Sequence, residues 1–217
     1  MDLKNVPDIR KREIIEKDYY FEGRKLDEIK GILIPSSEYS ERMRQIGNEL
    51  IKIYSEKNPM FLYVLNGSAQ IHSDLFGHLS HNDVFPHTQC YAKVKSTDGT
   101  KTGDAKYSKE IYETIELMPN KDVVIIEDII DSGGTIKGLI DIIKEKNINV
   151  NSLSVCAATF KKEQLKNENE GILKYVNHVG FIIPNNWIVG RGLDLDGKYR
   201  DLPDICVLTD ETIKKYI

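Results

Sequence analysis

The feature that most constrains this chain is a hydrophobic run that ends in adjacent acids and a glycine turn. Residues 123–135 read Val-Val-Ile-Ile-Glu-Asp-Ile-Ile-Asp-Ser-Gly-Gly-Thr. The β-branched start predicts a buried strand, and apolar residues then recur at helical spacing, at Ile136, Leu139, Ile140 and Ile143. A strand that leads through glycines into a helix presents amide N–H groups to an anion. The stretch therefore predicts a phosphate-binding turn at the carboxyl edge of a sheet.

The acids beside this turn limit the kinds of ligand that the turn could bind. Glu127, Asp128 and Asp131 would repel a phosphate, but they make sense if they hold ribose hydroxyls, bind Mg²⁺ or act as a base. A Walker loop would place a lysine before the Ser/Thr, and a dinucleotide fingerprint would need G-x-G-x-x-G. The sequence contains neither pattern. The alternative is an ordinary strand-to-helix turn with polar residues to spare.

Composition and charge exclude several classes of protein. The chain has 217 residues, 40% of them hydrophobic, and a net charge of −4, which argues against bulk nucleic-acid binding. Cys90, Cys156 and Cys206 are far apart and form no C-x-x-C, which favours free thiols in a reducing compartment. The sequence has no run of about 18 apolar residues that could cross a membrane. These features predict a cytoplasmic protein without a nucleic-acid or membrane partner.

Strand and helix patterns alternate along the chain. Strands are predicted at 60–65, 89–94, 123–126, 153–158, 179–183 and 205–208. Helices are predicted after Ser36 and Ser37, which would serve as N-caps, and near residues 71 and 136. This order predicts an α/β fold with a mostly parallel central sheet flanked by helices. We expect a single domain with a core at about 36–160 and a small irregular hood built from about 1–35 and 160–217.

Residues 123–135 resemble the diphosphoribosyl-binding signature of the type I phosphoribosyltransferases. That signature has four hydrophobic residues, two acids, two hydrophobic residues, another acid and then Thr/Ser-Gly-x-Thr, and every position matches. Further motifs are similar, in the same order, to the hypoxanthine-guanine (6-oxopurine) branch of that family: Leu65-Asn66-Gly67-Ser68, Lys93-Val94-Lys95-Ser96-Thr97, Trp187-Ile188-Val189-Gly190, Leu193-Asp194 and Tyr199-Arg200-Asp201-Leu202. The resemblance implies transfer of a phosphoribosyl group from phosphoribosyl diphosphate to hypoxanthine or guanine, with Mg²⁺ as cofactor.

The resemblance also implies a role for each motif, with Asp131 as the catalytic base. The phosphoribosyl group and its 5′-phosphate would be bound by Glu127, Asp128, Ile129, Ile130, Ser132, Gly133, Gly134 and Thr135. The purine would be bound by Lys161 (with Lys162 as its rival), Asn186, Trp187, Ile188 and Asp194. Pyrophosphate would be bound by Leu65, Asn66, Gly67, Lys95, Ser96 and Arg200. The Mg²⁺ ligands would be Glu127, Asp128 and Asp194. Residues 95–106 contain no large apolar side chain and would form a lid.

Some positions depart from the family pattern. Asn66 replaces the usual lysine of the pyrophosphate turn, Thr97 replaces a tyrosine, and Arg191-Gly192 replaces Tyr and a small residue. Two alternatives therefore stay open: an enzyme for xanthine or another base, and a regulatory protein that only senses a nucleotide. The resemblance implies a homodimer or a homotetramer.

Overall fold

The computed structural model describes residues 5–80, 84–95, 106–107 and 109–216. Its strands are β1 (Tyr20–Phe21), β2 (Arg24–Lys25), β3 (Ile29–Ile34), β4 (Pro59–Leu65), β5 (Thr88–Lys95), β6 (Lys106–Tyr107), β7 (Asp122–Ile130), β8 (Ser152–Phe160), β9 (Val176–Ile182), β10 (Ile188–Val189) and β11 (Ile205–Leu208). Its α-helices are α1 (Ser36–Tyr54), α2 (Ile71–Phe76), α3 (Lys109–Ile115), α4 (Gly134–Glu145) and α5 (Asp210–Tyr216). Short 3₁₀ helices span Gly67–Gln70, Lys162–Gln164 and Asn167–Ile172.

The central sheet has the strand order β6-β5-β4-β7-β8-β9. The five strands from β5 to β9 in this order pair in parallel, and only β6 is antiparallel, at the edge. The prediction of a mostly parallel sheet is therefore confirmed. From β4 the chain moves outward to β5, then returns past β4 to β7 and continues to the other edge. The connections thus diverge between β4 and β7, where open α/β sheets leave a ligand-binding crevice.

Helices cover both faces of this sheet. On one face, α1 and α2 bury a stripe of apolar side chains that includes Met43 and Ile46. On the other face, α3 and α4 bury Ile111 and Ile136 against the sheet. Because side chains alternate along a strand, β7 sends Val124 and Ile126 to the first core and Val123 and Ile125 to the second. Burial on both faces explains the continuous hydrophobic runs in the sequence.

The hood contains a regular sheet of its own. Strand β11 pairs antiparallel with β10 on one side and with β3 on the other. A small separate core fills this layer, with Ile32, Val189 and Cys206 among its members. The expectation of an irregular hood did not include this sheet, because β3 pairs with a strand from the other end of the chain. Strand β9 lies beyond residue 160 but joins the central sheet, so residues 160–217 are divided between the two layers.

The hood also caps the first long helix. The N-cap position of α1 is Pro35, which makes no side-chain capping bond, so the prediction of Ser36 and Ser37 as N-caps is wrong. Asp204, just before β11, supplies the missing acceptor: its Oδ1 accepts a hydrogen bond from Ser36 N at 2.6 Å. Its Oδ2 accepts from the Tyr19 hydroxyl. A carboxylate at this end of a helix is also favoured by the helix dipole.

We expect Asp204→Asn to lower the free energy of unfolding by about 1–3 kcal/mol at pH 7. Burial alone would raise the pKa of Asp204. Hydrogen bonds from Tyr19 and Ser36 and the charge of Lys17 lower it by more, so the net pKa lies below the usual 3.8. A depressed native pKa stabilises the fold above the unfolded pKa, and this contribution is lost as pH falls through the native pKa. Urea unfolding measured from pH 7 down to the acid range should therefore show that the free energies of unfolding of wild type and Asp204→Asn converge as the pH falls.

The exposed Asp201, three residues earlier, provides the matched control. Asp201→Asn should change the free energy of unfolding by less than about 0.5 kcal/mol. A difference between wild type and Asp204→Asn that stays constant below pH 3.8 would contradict the assignment.

Candidate functional site

A cleft of about 410 Å³ opens between the ends of β4 and β7, beneath the hood. Three segments contribute most of its lining: the turn after β4, the end of β7 with the start of α4, and the hood loop between β10 and β11. The end of β5 contributes the rest. The lining residues are Val64, Leu65, Asn66, Gly67, Lys93, Val94, Glu127, Asp128, Thr135, Asp194 and Arg200. Most of these are predicted site residues. Lys93 and Val94 belong to a predicted motif but have no predicted role of their own, and Val64 lies outside every motif, because nothing local marks an ordinary strand residue as facing a cleft.

The three segments meet at a contact that excludes any side chain larger than hydrogen. A Cβ added to Gly67 would lie 1.5 Å from Asp128 Oδ2. A Cβ added to Gly192, in the hood loop, would lie 2.0 Å from the Gly67 carbonyl oxygen. Gly192 also has φ +97°, which favours glycine. The Leu65–Asn66 peptide that leads into this turn is cis. The glycines therefore allow the end of β7, the turn and the hood loop to stack directly on one another.

The acid pair at the end of β7 is largely removed from water. Burial raises the pKa of Glu127 well above its usual value, and the adjacent Asp128 raises it further. Burial also raises the pKa of Asp128, although its Oδ1 accepts a hydrogen bond from Ile129 N at 2.8 Å. Within the described residues, Glu127 Oε2 is buried without a hydrogen-bond partner. Buried carboxylate oxygens of this kind are suited to a cation or a hydroxyl donor brought by a ligand.

The predicted phosphate turn lies at the N-terminus of α4, a helix of 12 residues. Gly133 is the N-cap residue with φ +82°, and its carbonyl oxygen accepts from Lys137 N at 3.0 Å. Thr135, in the first turn of the helix, faces the cleft. Ser132, Gly133, Gly134 and Thr135 thus form a glycine turn that opens a helix, as the sequence predicts. Such a turn directs amide N–H groups at an anion.

The segment after β8 folds against this turn. The polar sequence of residues 161–174 predicts a surface excursion, but its 3₁₀ segments bury Asn169 and Ile172. Asn169 Nδ2 donates to the Ser132 carbonyl oxygen at 2.7 Å, and Lys166 N donates to the same oxygen at 3.3 Å. Sequence reasoning missed this contact because the segment has no helical or strand periodicity.

The predicted base is paired with a lysine from the neighbouring strand. Lys161 Nζ lies 2.9 Å from Asp131 Oδ2. The lysine side chain is only 8% exposed, whereas that of Asp131 is 48% exposed. Because Lys161 follows β8 and β8 pairs with β7, the sheet brings these residues together, and Lys161 N donates to Ile130 O. Lys162 is exposed, so the geometry favours Lys161 over its rival.

The isoleucines between the acids point into the protein. Ile129 packs against the core under α1 and α2, and Ile130 lies in the core under α3 and α4. These two predicted residues can therefore offer only backbone groups to a ligand.

Three of the predicted purine-binding residues, Asn186, Trp187 and Ile188, lie at the edge of the hood rather than among the residues that line the cleft. Trp187 is 43% exposed, and its carbonyl oxygen accepts from Leu208 N. Ile188 is buried in β10, and Asn186 N donates to Pro184 O at 2.9 Å. Asp194 does line the cleft.

An ion pair holds the hood loop over the cleft. Arg200 Nη2 lies 2.7 Å from Asp194 Oδ1, and Asp194 Oδ2 accepts from Gly197 N at 2.6 Å. Arg200 Nη1 also donates to the Gly192 carbonyl oxygen. The loop therefore presents a carboxylate and a guanidinium, already oriented, to a ligand in the cleft.

Part of the predicted site falls outside what the structure describes. Ser96 and the other predicted lid residues through 105 lie outside the described residues, as does the side chain of Lys95, the last residue of β5. In the described part of the chain, no group of three or more His, Cys, Asp or Glu side chains forms a ready-made metal site. Nor does any helix there have the length and apolarity needed to span a membrane.

The fold and the cleft define an α/β protein of the type I phosphoribosyltransferase class. The parallel sheet, the acid pair at its switch point and the glycine turn at the N-terminus of α4 are its defining features. Residues 36–194 match the family described as the phosphoribosyl transferase domain. The chain belongs to this family.

Three proteins that are similar to this chain are named as purine phosphoribosyltransferases. The hypoxanthine-guanine phosphoribosyltransferase of Streptococcus pyogenes is 33% identical over 193 residues, which are 87% of this chain and 98% of that protein. The hypoxanthine-guanine-xanthine phosphoribosyltransferase of Tritrichomonas foetus is 32% identical, over 85% of this chain and 94% of that protein. A crystal structure of a hypoxanthine phosphoribosyltransferase from Staphylococcus aureus superposes with a TM-score of 0.69 at 29% identity, over 85% of this chain and 94% of that one.

The chain is also similar to part of a longer protein. The bifunctional protein TilS/HprT of Listeria innocua is 33% identical over 186 residues, which are 85% of this chain. The chain spans only 27% of the length of that relative.

We expect Gly133→Ala to destabilise the free protein by about 1–3 kcal/mol, because a side chain at φ +82° is strained. The new Cβ would also lie 2.6 Å from Leu165 Cδ1. Gly134→Ala is the matched control, since its Cβ would find only Ser132 Oγ, at 3.7 Å, and alanine favours a helix. Urea unfolding without ligand measures both changes. Equal stability of the two variants would contradict the left-handed conformation of Gly133.

Proposed function

We propose that this protein transfers the 5-phosphoribosyl group of phosphoribosyl diphosphate to a 6-oxopurine, hypoxanthine or guanine. The products are IMP or GMP and pyrophosphate, and the reaction serves purine salvage. The observation that carries the proposal is that one cleft combines an acid pair, a helix N-terminus and an arginine-bearing hood loop. The family membership and the names of the similar proteins support it.

The two ends of phosphoribosyl diphosphate fit two different turns. The 5′-phosphate would bind the amides of the turn Ser132–Thr135 and the hydroxyls of its two ends, at the N-terminus of α4. Pyrophosphate would bind the turn Leu65–Gly67 with Arg200, whose guanidinium fork matches phosphate oxygens. Lys95 and Ser96 stay candidates for the same group. Asn66 supplies no positive charge, so Arg200 and Lys93, which also lines the cleft, would carry more of the neutralisation.

The acid pair would hold the ribose and its metal. Glu127 and Asp128 fit ribose hydroxyls, directly or through Mg²⁺, because their desolvated oxygens are the hard ligands that this ion prefers. Asp194 is the candidate for a second contact near the purine and pyrophosphate. Bound Mg²⁺ would neutralise charge on the diphosphate and so ease its departure. Mg²⁺ is commonly held by one or two protein carboxylates together with substrate phosphates, and this donor set fits that pattern.

Asp131 is the proposed general base. It would take the proton from purine N7 as the new glycosidic bond forms and pyrophosphate leaves the anomeric carbon. Its carboxylate is half exposed and is paired with a lysine that is almost fully buried, so it is accessible to a purine, although Asp131 is not among the residues that line the cleft. Lys161 would donate to the 6-oxo group of the purine, and Trp187 would stack on the ring with backbone groups of Asn186 and Ile188 beside it.

Two alternatives are distinguished by specific features. Xanthine differs from the proposed substrates by one oxo group, and a single pocket contact worth about 1–3 kcal/mol decides such preferences. The name of the Tritrichomonas foetus protein includes xanthine, but the other similar proteins described above favour hypoxanthine and guanine. A regulatory nucleotide sensor would not need a base, whereas this chain has Asp131 at the expected position.

We also propose a cytoplasmic homodimer or homotetramer. All three cysteines are free thiols, and Cys156 and Cys206 are buried, which suits a reducing compartment. Sedimentation of the purified protein would test the assembly.

The first experiment is a panel of purines with phosphoribosyl diphosphate and Mg²⁺, followed by absorbance. We expect turnover of hypoxanthine or guanine, loss of turnover with a chelator, and weaker or absent turnover of xanthine and adenine. Preferred turnover of xanthine would replace the proposed substrate. Binding of phosphoribosyl diphosphate without turnover of any base would favour the sensor.

We expect Asp131→Asn to lower kcat by roughly 10²-fold or more, which is the usual contribution of a general base. The Kd for phosphoribosyl diphosphate should change little, because the proposed contacts to that ligand lie elsewhere. Asp141→Asn, on the exposed side of α4 where Asp141 pairs with Lys137, removes a carboxylate without touching the cleft. Equal losses of turnover and diphosphate binding in Asp131→Asn would contradict the role of base.

A further inference from the structure

The phosphate turn is supported from behind by one buried side chain. Asn169, in the 3₁₀ segment Asn167–Ile172, is 6% exposed, although it is polar and lies among exposed neighbours. Its Nδ2 donates to the carbonyl oxygen of Ser132 at 2.7 Å. A buried amide is retained at low cost only when it is hydrogen-bonded, so this contact fixes where Asn169 sits.

Because the peptide unit is planar, the hydrogen bond to the Ser132 oxygen also fixes the direction of the Gly133 N–H in the turn. In a trans peptide the carbonyl oxygen and the N–H of the following residue lie in one plane and point in opposite directions across the C–N bond. Because the Ser132 oxygen faces Asn169, the Gly133 N–H points away from that side chain. An anion at the N-terminus of α4 needs N–H groups turned toward it. Rotation of this one peptide plane would instead present a carbonyl oxygen to the phosphate.

Apolar packing alone does not fix the same arrangement. Leu165 and Ile172 surround Gly133, but a cavity of about 130 Å³ remains between this segment and α4. Ile140 and Asn169 both line the cavity. The side of the segment that faces α4 is therefore incompletely packed. The hydrogen bonds to Ser132 are the directional contacts that resist such a shift, with the second one coming from Lys166 N.

We propose that Asn169 is a positioning residue, which holds the Ser132–Gly133 peptide in the orientation that binds the 5′-phosphate. The proposal rests on the proposed function, since it assigns the turn to that phosphate. Asn169 itself would touch neither substrate. It would act only on the phosphoribosyl end of the ligand, because the pyrophosphate turn Leu65–Gly67 is supported by the hood instead.

The experiment compares two ligands that report on the two turns. Ribose 5-phosphate contains only the end held by Ser132–Thr135, and pyrophosphate with Mg²⁺ contains only the other end. The variant Asn169→Asp keeps the shape of the side chain and removes the N–H donor, and Asn169→Ala removes the whole amide. The exposed Asn167, two residues earlier, receives the same two substitutions as a control. Calorimetry gives the Kd values, and steady-state kinetics gives KM for phosphoribosyl diphosphate and for the purine.

We expect both Asn169 variants to raise the Kd for ribose 5-phosphate and the KM for phosphoribosyl diphosphate by roughly 3- to 10-fold, the effect of one lost hydrogen bond. The Kd for pyrophosphate and the KM for the purine should stay within about 2-fold of wild type, and the Asn167 variants should match wild type. Unchanged ribose 5-phosphate binding in Asn169→Asp would overturn the proposal. Equally weakened binding of ribose 5-phosphate and pyrophosphate would also overturn it, because that result would indicate a general disturbance of the fold.

The proposed function is judged separately, by turnover in the wild type. If wild type turns over a purine but the Asn169 variants bind ribose 5-phosphate as wild type does, the proposed role of Asn169 is wrong and the proposed function still holds. Absence of turnover in the wild type would remove the function, while the ribose 5-phosphate measurement still decides whether Asn169 orients the turn.

Discussion

The cleft depends on a contact between backbone segments that only glycine permits. A Cβ on Gly67 would meet the Asp128 carboxylate, and a Cβ on Gly192 would meet the Gly67 carbonyl oxygen. The end of β7, the turn after β4 and the hood loop therefore occupy fixed relative positions. Arg200 bonds to the Gly192 carbonyl oxygen and to Asp194, so the contact also sets the direction of the charged groups in the hood.

This close packing has an electrostatic consequence. The same contacts that fix the segments remove Glu127 and Asp128 from water, and burial raises the pKa of both. Adjacent buried acids destabilise a free protein, and natural proteins accept such local conflicts at functional sites. A ligand that brings a cation and hydroxyl groups would supply the missing partners. Its binding should then stabilise the fold by more than its contact area suggests, because it also relieves the repulsion between the acids.

The sequence predicts those parts of the structure that depend on local interactions. The β-branched run of β7, its acidic end and the glycines before α4 identify a strand, a site and a turn within thirteen residues. The hood sheet is different, because β3 pairs with β11 from the other end of the chain and neither strand carries a long pattern. The cap of α1 comes from Asp204 rather than from the adjacent serines, and the contact of Asn169 with Ser132 lies in a segment without periodicity. Each missed feature joins residues that are distant in sequence.

The pairing of Asp131 with Lys161 shows how such distant contacts can set chemistry as well as structure. Lys161 is almost fully buried at the end of β8, and its backbone is bonded to Ile130, so its ammonium has little freedom to move. Asp131 is half exposed and is the more accessible member of the pair. A purine that approaches with its 6-oxo group toward Lys161 would compete for the ammonium and free one carboxylate oxygen for the N7 proton. If the proposed roles hold, the lysine would select an oxopurine over an aminopurine and would release the base in the same step, because an exocyclic amine offers the ammonium no acceptor of comparable strength.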